Sequence, residues 1–219
     1  GSLLVYQLLI LPSVTQRVSH TRLFQTSCLG GAVCMAALPL AAAQVPSLWA
    51  QLGETYTREM AGRFAAPTKG WISKMLENYW HLGSIYLSLP HAKVLHMWRE
   101  PVQACFSAYA TLFSQGSNAV PYSYDLDDLA AYHRVYDGAM AFWREALPSH
   151  FLLTVNYTEL VLSPEAALHR VVDFVGLPWD PALYLGFHSS RGLVHTASAL
   201  SVREPVHTRS LDAWREFEG

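Results

Sequence analysis

Ala92-Lys-Val-Leu-His-Met-Trp98 is a short apolar run that passes directly into Arg99-Glu-Pro101. A run of this length with turn signals on both sides predicts a buried strand. Pro101 falls where a first helical position would be, and there its fixed φ is already suited to the helix and its missing N–H is not needed. The segment therefore predicts a strand-turn-helix unit with Arg99 at the carboxyl end of the strand. A strand apolar on both faces belongs to a parallel sheet covered by helices. Open α/β sheets bind ligands at that edge. A helix start offers N–H groups and a partial positive charge, and the adjacent guanidinium adds a bidentate clamp for phosphate. Ser107, two turns into the helix, adds a hydroxyl. The plain alternative is a surface Arg and a helix Ser in an ordinary βα unit.

The rest of the chain supports the same class. Leu3 to Ile10 reads as a helix or buried segment ended by Pro12. Val14 to Gln25 is polar and irregular, and Ala32 to Arg63 reads as helix broken around Pro46. A short strand is expected at Trp71 to Met75 and a helix at Asn78 to Leu87. Helix follows from Pro101 to Phe113, a polar loop from Ser114 to Asp125, and a long helix from Leu126 to Leu147. Asp127 and Asp128 lie in the first turn of that helix, where its dipole favours them. Phe151 to Val155 reads as strand and Pro164 to Val175 as helix, with Gly176 as its C′ residue. A last short helix is expected near Ser210 to Phe217. Alternating strands and helices predict an α/β, P-loop-like three-layer domain with a parallel sheet flanked by helices. Residues 1–219 form one domain on this reading.

With 51% hydrophobic and only 15% charged residues, the chain is too apolar for disorder. Its formal charge of −2 gives no basic field for nucleic acid, so any anion site must be local. Cys28, Cys34 and Cys105 are odd in number and lack metal-type spacing, which favours free thiols and a reducing compartment. The ten histidines also lack metal spacing. Leu29 to Val45 is interrupted by Gly30, Gly31, Pro39 and Gln44, and falls short of the about 20 apolar residues a membrane span needs. No basic segment precedes the first apolar run, so a signal peptide is not expected.

Several stretches occur in a telling order: Lys74-Met-Leu-Glu-Asn-Tyr-Trp-His-Leu-Gly83, Leu89-Pro90, Trp98-Arg-Glu-Pro101, Asn156-Tyr-Thr-Glu-Leu-Val161, Gly176-Leu-Pro-Trp179 and Ser201-Val-Arg-Glu-Pro205. From about Gly53 to Phe217 the chain resembles the sulfotransferase family, near its bacterial and tyrosylprotein-type branch. The resemblance implies transfer of a sulfuryl group from PAPS (phosphoadenosine phosphosulfate) to a hydroxyl, with PAP as product and no metal. Arg99 and Ser107 match the family's Arg-x7-Ser element, which grips the 3′-phosphate. Tyr157 matches a strand-end Tyr that lies against the adenine, although Thr158 stands where an acid usually follows and Glu159 comes one later. Lys74 matches the Lys of an Asp-Lys-x-Pro-x-Asn pattern that stabilises the leaving oxygen, with Ser73 in place of the Asp and Leu76 in place of the Pro. Ser198 matches a serine that assists at the donor, and Arg203 is a candidate for a second phosphate contact. Each has an ordinary alternative: a solvated Lys, a packed Tyr, a polar surface loop.

The family's Gly-rich 5′-phosphosulfate loop is expected before residue 1. Gly1-Ser-Leu-Leu-Val-Tyr-Gln-Leu-Leu9 is either its tail or an accidental likeness, so an N-terminally truncated domain lacking its first strand is expected. No carboxylate occurs before Glu54, although the family places its catalytic Glu early. The leading expectation is a PAPS-dependent sulfotransferase acting on a hydroxyl of a small molecule, glycan or protein Tyr, with no nucleic acid and no membrane span. It would be cytoplasmic, or in the Golgi lumen if it is a eukaryotic tyrosylprotein-type member. The alternative is a catalytically impaired fragment that serves as a binding domain. A P-loop kinase-like transferase is disfavoured, since no Gly-Lys-Ser/Thr or Mg²⁺ carboxylate pattern occurs.

Overall fold

The computed structural model describes residues 7–12, 46–62, 70–111, 120–184 and 207–217. By internal contacts the chain divides into two compact units, each drawing on separate stretches of sequence. One holds Gln7–Val94 and Ala139–Leu152; the other holds Leu95–Gly138 and Leu153–Gly219.

In the first unit, β1 (Gln7–Pro12) pairs antiparallel with β2 (Gly70–Met75), from Gln7 opposite Met75 to Pro12 opposite Gly70. This corrects two expectations. Within the segment expected as helix or buried segment from Leu3 to Ile10, the described residues form strand, and the sheet is not parallel throughout. A leucine-rich run of six residues is too short to sustain a helix alone. Pairing with β2 satisfies its backbone groups directly. β3 (Lys93–Trp98) and β4 (Leu152–Asn156) enter the same sheet, whose order is β2-β1-β3-β4. Lys93 Nζ donates to the His150 carbonyl at 2.7 Å, and the Val94 N–H donates to the Phe151 carbonyl at 2.7 Å. His96 meets Thr154 further along. Residue numbers on the two strands rise together, so β3 and β4 are parallel.

Around the sheet of this unit stand α1 (Pro46–Ala61), a 3₁₀ turn (Leu76–His81) and α2 (Leu82–Ser88). Helix was expected from Asn78, but the first part is wound tighter. Its core contains Tyr79, Leu82, Ile85, Met140, Trp143 and Phe151, with the Trp143 indole donating to the Tyr79 carbonyl at 2.7 Å. α1 approaches α2 at Gly53, where a Cβ would stand 1.8 Å from the Ser88 carbonyl oxygen. Only glycine permits that approach.

In the second unit, β3 leads through Arg99 and Glu100 into α3 (Pro101–Tyr109), with Pro101 at the first helical position as expected. A 3₁₀ turn at Pro121–Tyr124 precedes α4 (Leu126–Ala146), whose last residues belong to the first unit. Asp125 Oδ1 caps α4, accepting the N–H groups of Asp127 at 2.8 Å and Asp128 at 3.0 Å. β4 ends at Asn156, whose side chain caps α5 (Tyr157–Leu162). α6 (Pro164–Val175) follows and closes on Gly176 at φ 79°, the left-handed C′ residue expected from the sequence. After α7 (Pro181–Tyr184), the described chain resumes with α8 (Arg209–Asp212), continued by a 3₁₀ turn at Ala213–Phe217. Tyr157, Val161 and Leu211 cluster with Met97 at the carboxyl end of β3. The architecture is helix-rich α/β around a small sheet. No described helix is long and apolar enough to cross a membrane.

Candidate functional site

Arg99 is 3% exposed, which is unusual for a guanidinium. It leaves β3 at the carboxyl edge, and each part of its side chain has its own surroundings. Nε donates to Gln103 Oε1 at 3.4 Å, one helical turn into α3. Nη2 donates to the main-chain carbonyl of Ser210 in α8, 111 residues further along. The guanidinium carbon lies 4.7 Å from the centre of the Tyr157 ring. The Tyr157 hydroxyl meets Ser210 Oγ at 2.7 Å. Nη1 is buried and has no acceptor among the described residues.

That last atom carries the chemistry. A buried donor without an acceptor costs about 1–3 kcal/mol, more when the group is charged. Arg99 is a whole cation whose assigned acceptors are neutral: an amide oxygen, a carbonyl and a π face. Burial pushes its pKa below the usual arginine range, with Tyr157 and Glu100 pulling the other way. The guanidinium still stays protonated, because its ordinary value lies so far above neutrality. A buried cation with a spare N–H is suited to an anion.

The helix start differs from what the sequence suggested. The Glu100 carboxylate caps α3, accepting the Gln103 N–H at 3.0 Å. The α3 N-terminus is therefore partly satisfied from within, so an anion at this edge would meet side chains more than helix N–H groups. Ser107 lies on α3 four residues beyond Gln103, so both occupy the helix face that Arg99 touches. Cys105 is half-buried, and burial raises its thiol pKa, with Glu100 adding to the rise. It is a poor nucleophile.

Tyr157 follows β4 directly, as expected, and opens α5. Asn156 Oδ1 accepts the N–H groups of Thr158 at 2.8 Å and Glu159 at 3.4 Å, which fixes the strand-to-helix corner. Glu159 is held outward by Arg170 at 2.5 Å. Beneath this edge His96 is fully buried: Nδ1 lies 3.1 Å from Thr154 Oγ1 and Nε2 against the Tyr136 hydroxyl. Both ring nitrogens are engaged, so His96 ties β3, β4 and α4 together within this unit.

Lys74 belongs to the first unit. It lies on β2 opposite Leu8, is exposed, and has its pKa lowered by burial of its surroundings. Asn78, the last residue of the motif containing Lys74, has its amide nitrogen buried with no acceptor among the described residues. Ser198 and Arg203 lie outside the described residues, as do Cys28, Cys34 and residues 112–119. No His, Cys, Asp and Glu cluster that could hold a metal ion occurs among the described residues.

The structure thus brings Arg99 and Tyr157 into contact, puts Ser107 on the neighbouring helix face, and adds Gln103 and Ser210. Gln103 had a local signal, its four-residue spacing from Arg99. Ser210 had none, because nothing in Thr208-Arg-Ser-Leu-Asp212 indicates which distant side chain it meets.

A family model described as "Sulfotransferase family" matches residues 13–181. That interval includes Lys74, Arg99, Ser107 and Tyr157, and ends before Ser198, Arg203 and Ser210. A protein from Aquifex aeolicus (strain VF5), described as an uncharacterized protein, is 26% identical over 147 residues. The matched stretch is 67% of this chain and 19% of that one, so the chain spans about a fifth of the relative's length.

Proposed function

We propose, from the premise that the chain belongs to the sulfotransferase family, that it binds PAPS through Arg99 and transfers the sulfuryl group to a hydroxyl. The observation that carries this reading is the buried Arg99 with one N–H still unclaimed. Arg99 and the Ser107 hydroxyl bind the 3′-phosphate, and Tyr157, whose ring already covers one face of the guanidinium, borders the adenine. When bound, PAPS supplies the sulfuryl group and a phosphate leaving group. The acceptor oxygen bonds to sulfur as the bridging S–O bond breaks, and the acceptor proton leaves to a base.

Lys74 stabilises charge developing on the bridging oxygen, a task suited to a compact ammonium. Ser198 and Arg203 assist at the donor. The acceptor is a small molecule, glycan or protein Tyr hydroxyl.

One observation favours a second reading. Residues 1–53 contain no Asp or Glu, so the carboxylate base expected early in the family has no candidate there. A chain that binds the nucleotide without turning it over fits that composition. Titration calorimetry with PAP separates the readings from a null result. Wild type is expected to bind, and Arg99→Ala to weaken binding about 100-fold, as loss of a charge-assisted hydrogen bond to phosphate requires. A wild-type chain that does not bind PAP would sink the PAPS reading. Binding without sulfuryl transfer to any hydroxyl acceptor would favour the second.

A further inference from the structure

We infer that Trp214 is a binding residue of the Arg99 site, its indole N–H donating to the same anion that Arg99 Nη1 binds. The inference rests on the nucleotide reading above for the identity of that anion, but not for the existence of the site. Three observations carry it. First, Trp214 Nε1 is buried with no acceptor among the described residues, as is Arg99 Nη1. Trp Nε1 can only donate and buried indole N–H groups ordinarily find a partner, so each of these donors lacks the same thing.

Second, the two donors share one interface. Ser210, Trp214 and Phe217 are spaced by four and three residues along α8 and its 3₁₀ continuation, which places them on one face. The ends of that stripe both touch the α3 region: the Ser210 carbonyl accepts from Arg99, and the Phe217 ring lies 5.2 Å from that of Phe106. Trp214 lies between these two contacting residues in the sequence, in the 3₁₀ turn that follows α8.

Third, the chemistry excludes a cation or a neutral donor as the missing partner. An arginine N–H and an indole N–H can each be satisfied only by an acceptor, and a tetrahedral oxyanion offers several in one place. The Arg215 guanidinium, 5.0 Å from the Trp214 ring, is paired with Asp212 at 2.9 Å, so the Arg99 and Trp214 N–H groups, not net charge on this segment, would hold the anion. An anion held from both sides would then pin residues 207–217 against α3.

The test uses the full chain. Trp214→Phe keeps the aromatic body and removes only the donor. Adenosine 3′,5′-bisphosphate (PAP) is titrated beside AMP, which lacks the 3′-phosphate, and the indole N–H signals are followed by ¹⁵N NMR. The expected result is about tenfold weaker PAP binding by the variant, unchanged AMP binding, and a shift of the Trp214 indole signal as PAP saturates wild type. Equal PAP affinities, or an indole signal that stays in place at saturation, would overturn the assignment. If the variant does not fold, sequential assignment of wild type identifies the signal and the same shift decides. If wild type ignores PAP, the nucleotide reading falls, and titration with inorganic phosphate takes over. An indole shift on phosphate would then uphold Trp214 as an anion donor, and no shift would overturn it.

Discussion

Arg99 shows how a single side chain can be placed by sequence and defined by tertiary structure. Its position at the end of β3 follows from Trp98 and Pro101 on either side. Its burial, its contact with Ser210 and its unclaimed Nη1 follow from residues more than a hundred positions away. His133 makes a sharper residue-scale case. Burial holds its pKa below 6.5, while Asp137 and Glu100 pull it upward. The unfolded chain binds that proton near the ordinary value of about 6.5. As the pH falls through that region, the unfolded state takes up a proton that the folded state refuses, so stability falls with it. The loss levels off only below the depressed folded-state value. His81 is shifted in the same direction and adds to the effect. Urea midpoints at pH 7.5 and 5.5 should therefore drop further for wild type than for His133→Gln. Equal drops would show that His133 does not stay neutral in the folded chain.

At the scale of elements, the approach of α1 to α2 has a definite test in its glycine. Adding a methyl group to Gly53 brings it within 1.8 Å of the Ser88 carbonyl, where backbone rather than a flexible side chain must yield. Overpacking of this kind costs about 1–3 kcal/mol, and the gain in helix propensity of about 1 kcal/mol does not offset the upper part of that range. Gly138, inside α4, has no atom within 4 Å of an added Cβ. Gly138→Ala should therefore stabilise the chain by about 0.5–1 kcal/mol, while Gly53→Ala destabilises it. Denaturant unfolding of the two variants should give opposite signs; a stabilised Gly53→Ala would show that the two helices are not in contact there. The sequence could not distinguish these glycines, since both lie in helical stretches and only neighbours distant in the chain differ. It did give β3, α3, α4, β4 and α6 with ends within a few residues, or tied to a cap. These elements declare themselves locally through Pro101, Asp127, Asp128 and Gly176. β1 stayed open between helix and buried segment because leucines suit either state, and only its pairing with β2 selected the strand.

For the whole molecule, the modest charge of −2 leaves ligand recognition to a local cation, and binding should register as global stability. A ligand that binds only the folded state at about 100 times its Kd contributes about 2.7 kcal/mol. For a chain of this size that corresponds to a rise in Tm of about 5–10 °C. PAP in excess should produce such a rise in wild type and not in Arg99→Ala. A melting curve unmoved by millimolar PAP would argue against a nucleotide site in the chain.

By itself, the sequence determined the α/β class, most element ends and the family. Each of those is written in short-range patterns: apolar runs, capping residues and ordered motifs. Tertiary structure alone decided that β1 is a strand, that Gly53 must be glycine, and that Arg99 is buried with one N–H to spare beside Ser210. Those outcomes depend on which distant groups satisfy a given donor or fill a given space, and no local stretch of sequence records its partner.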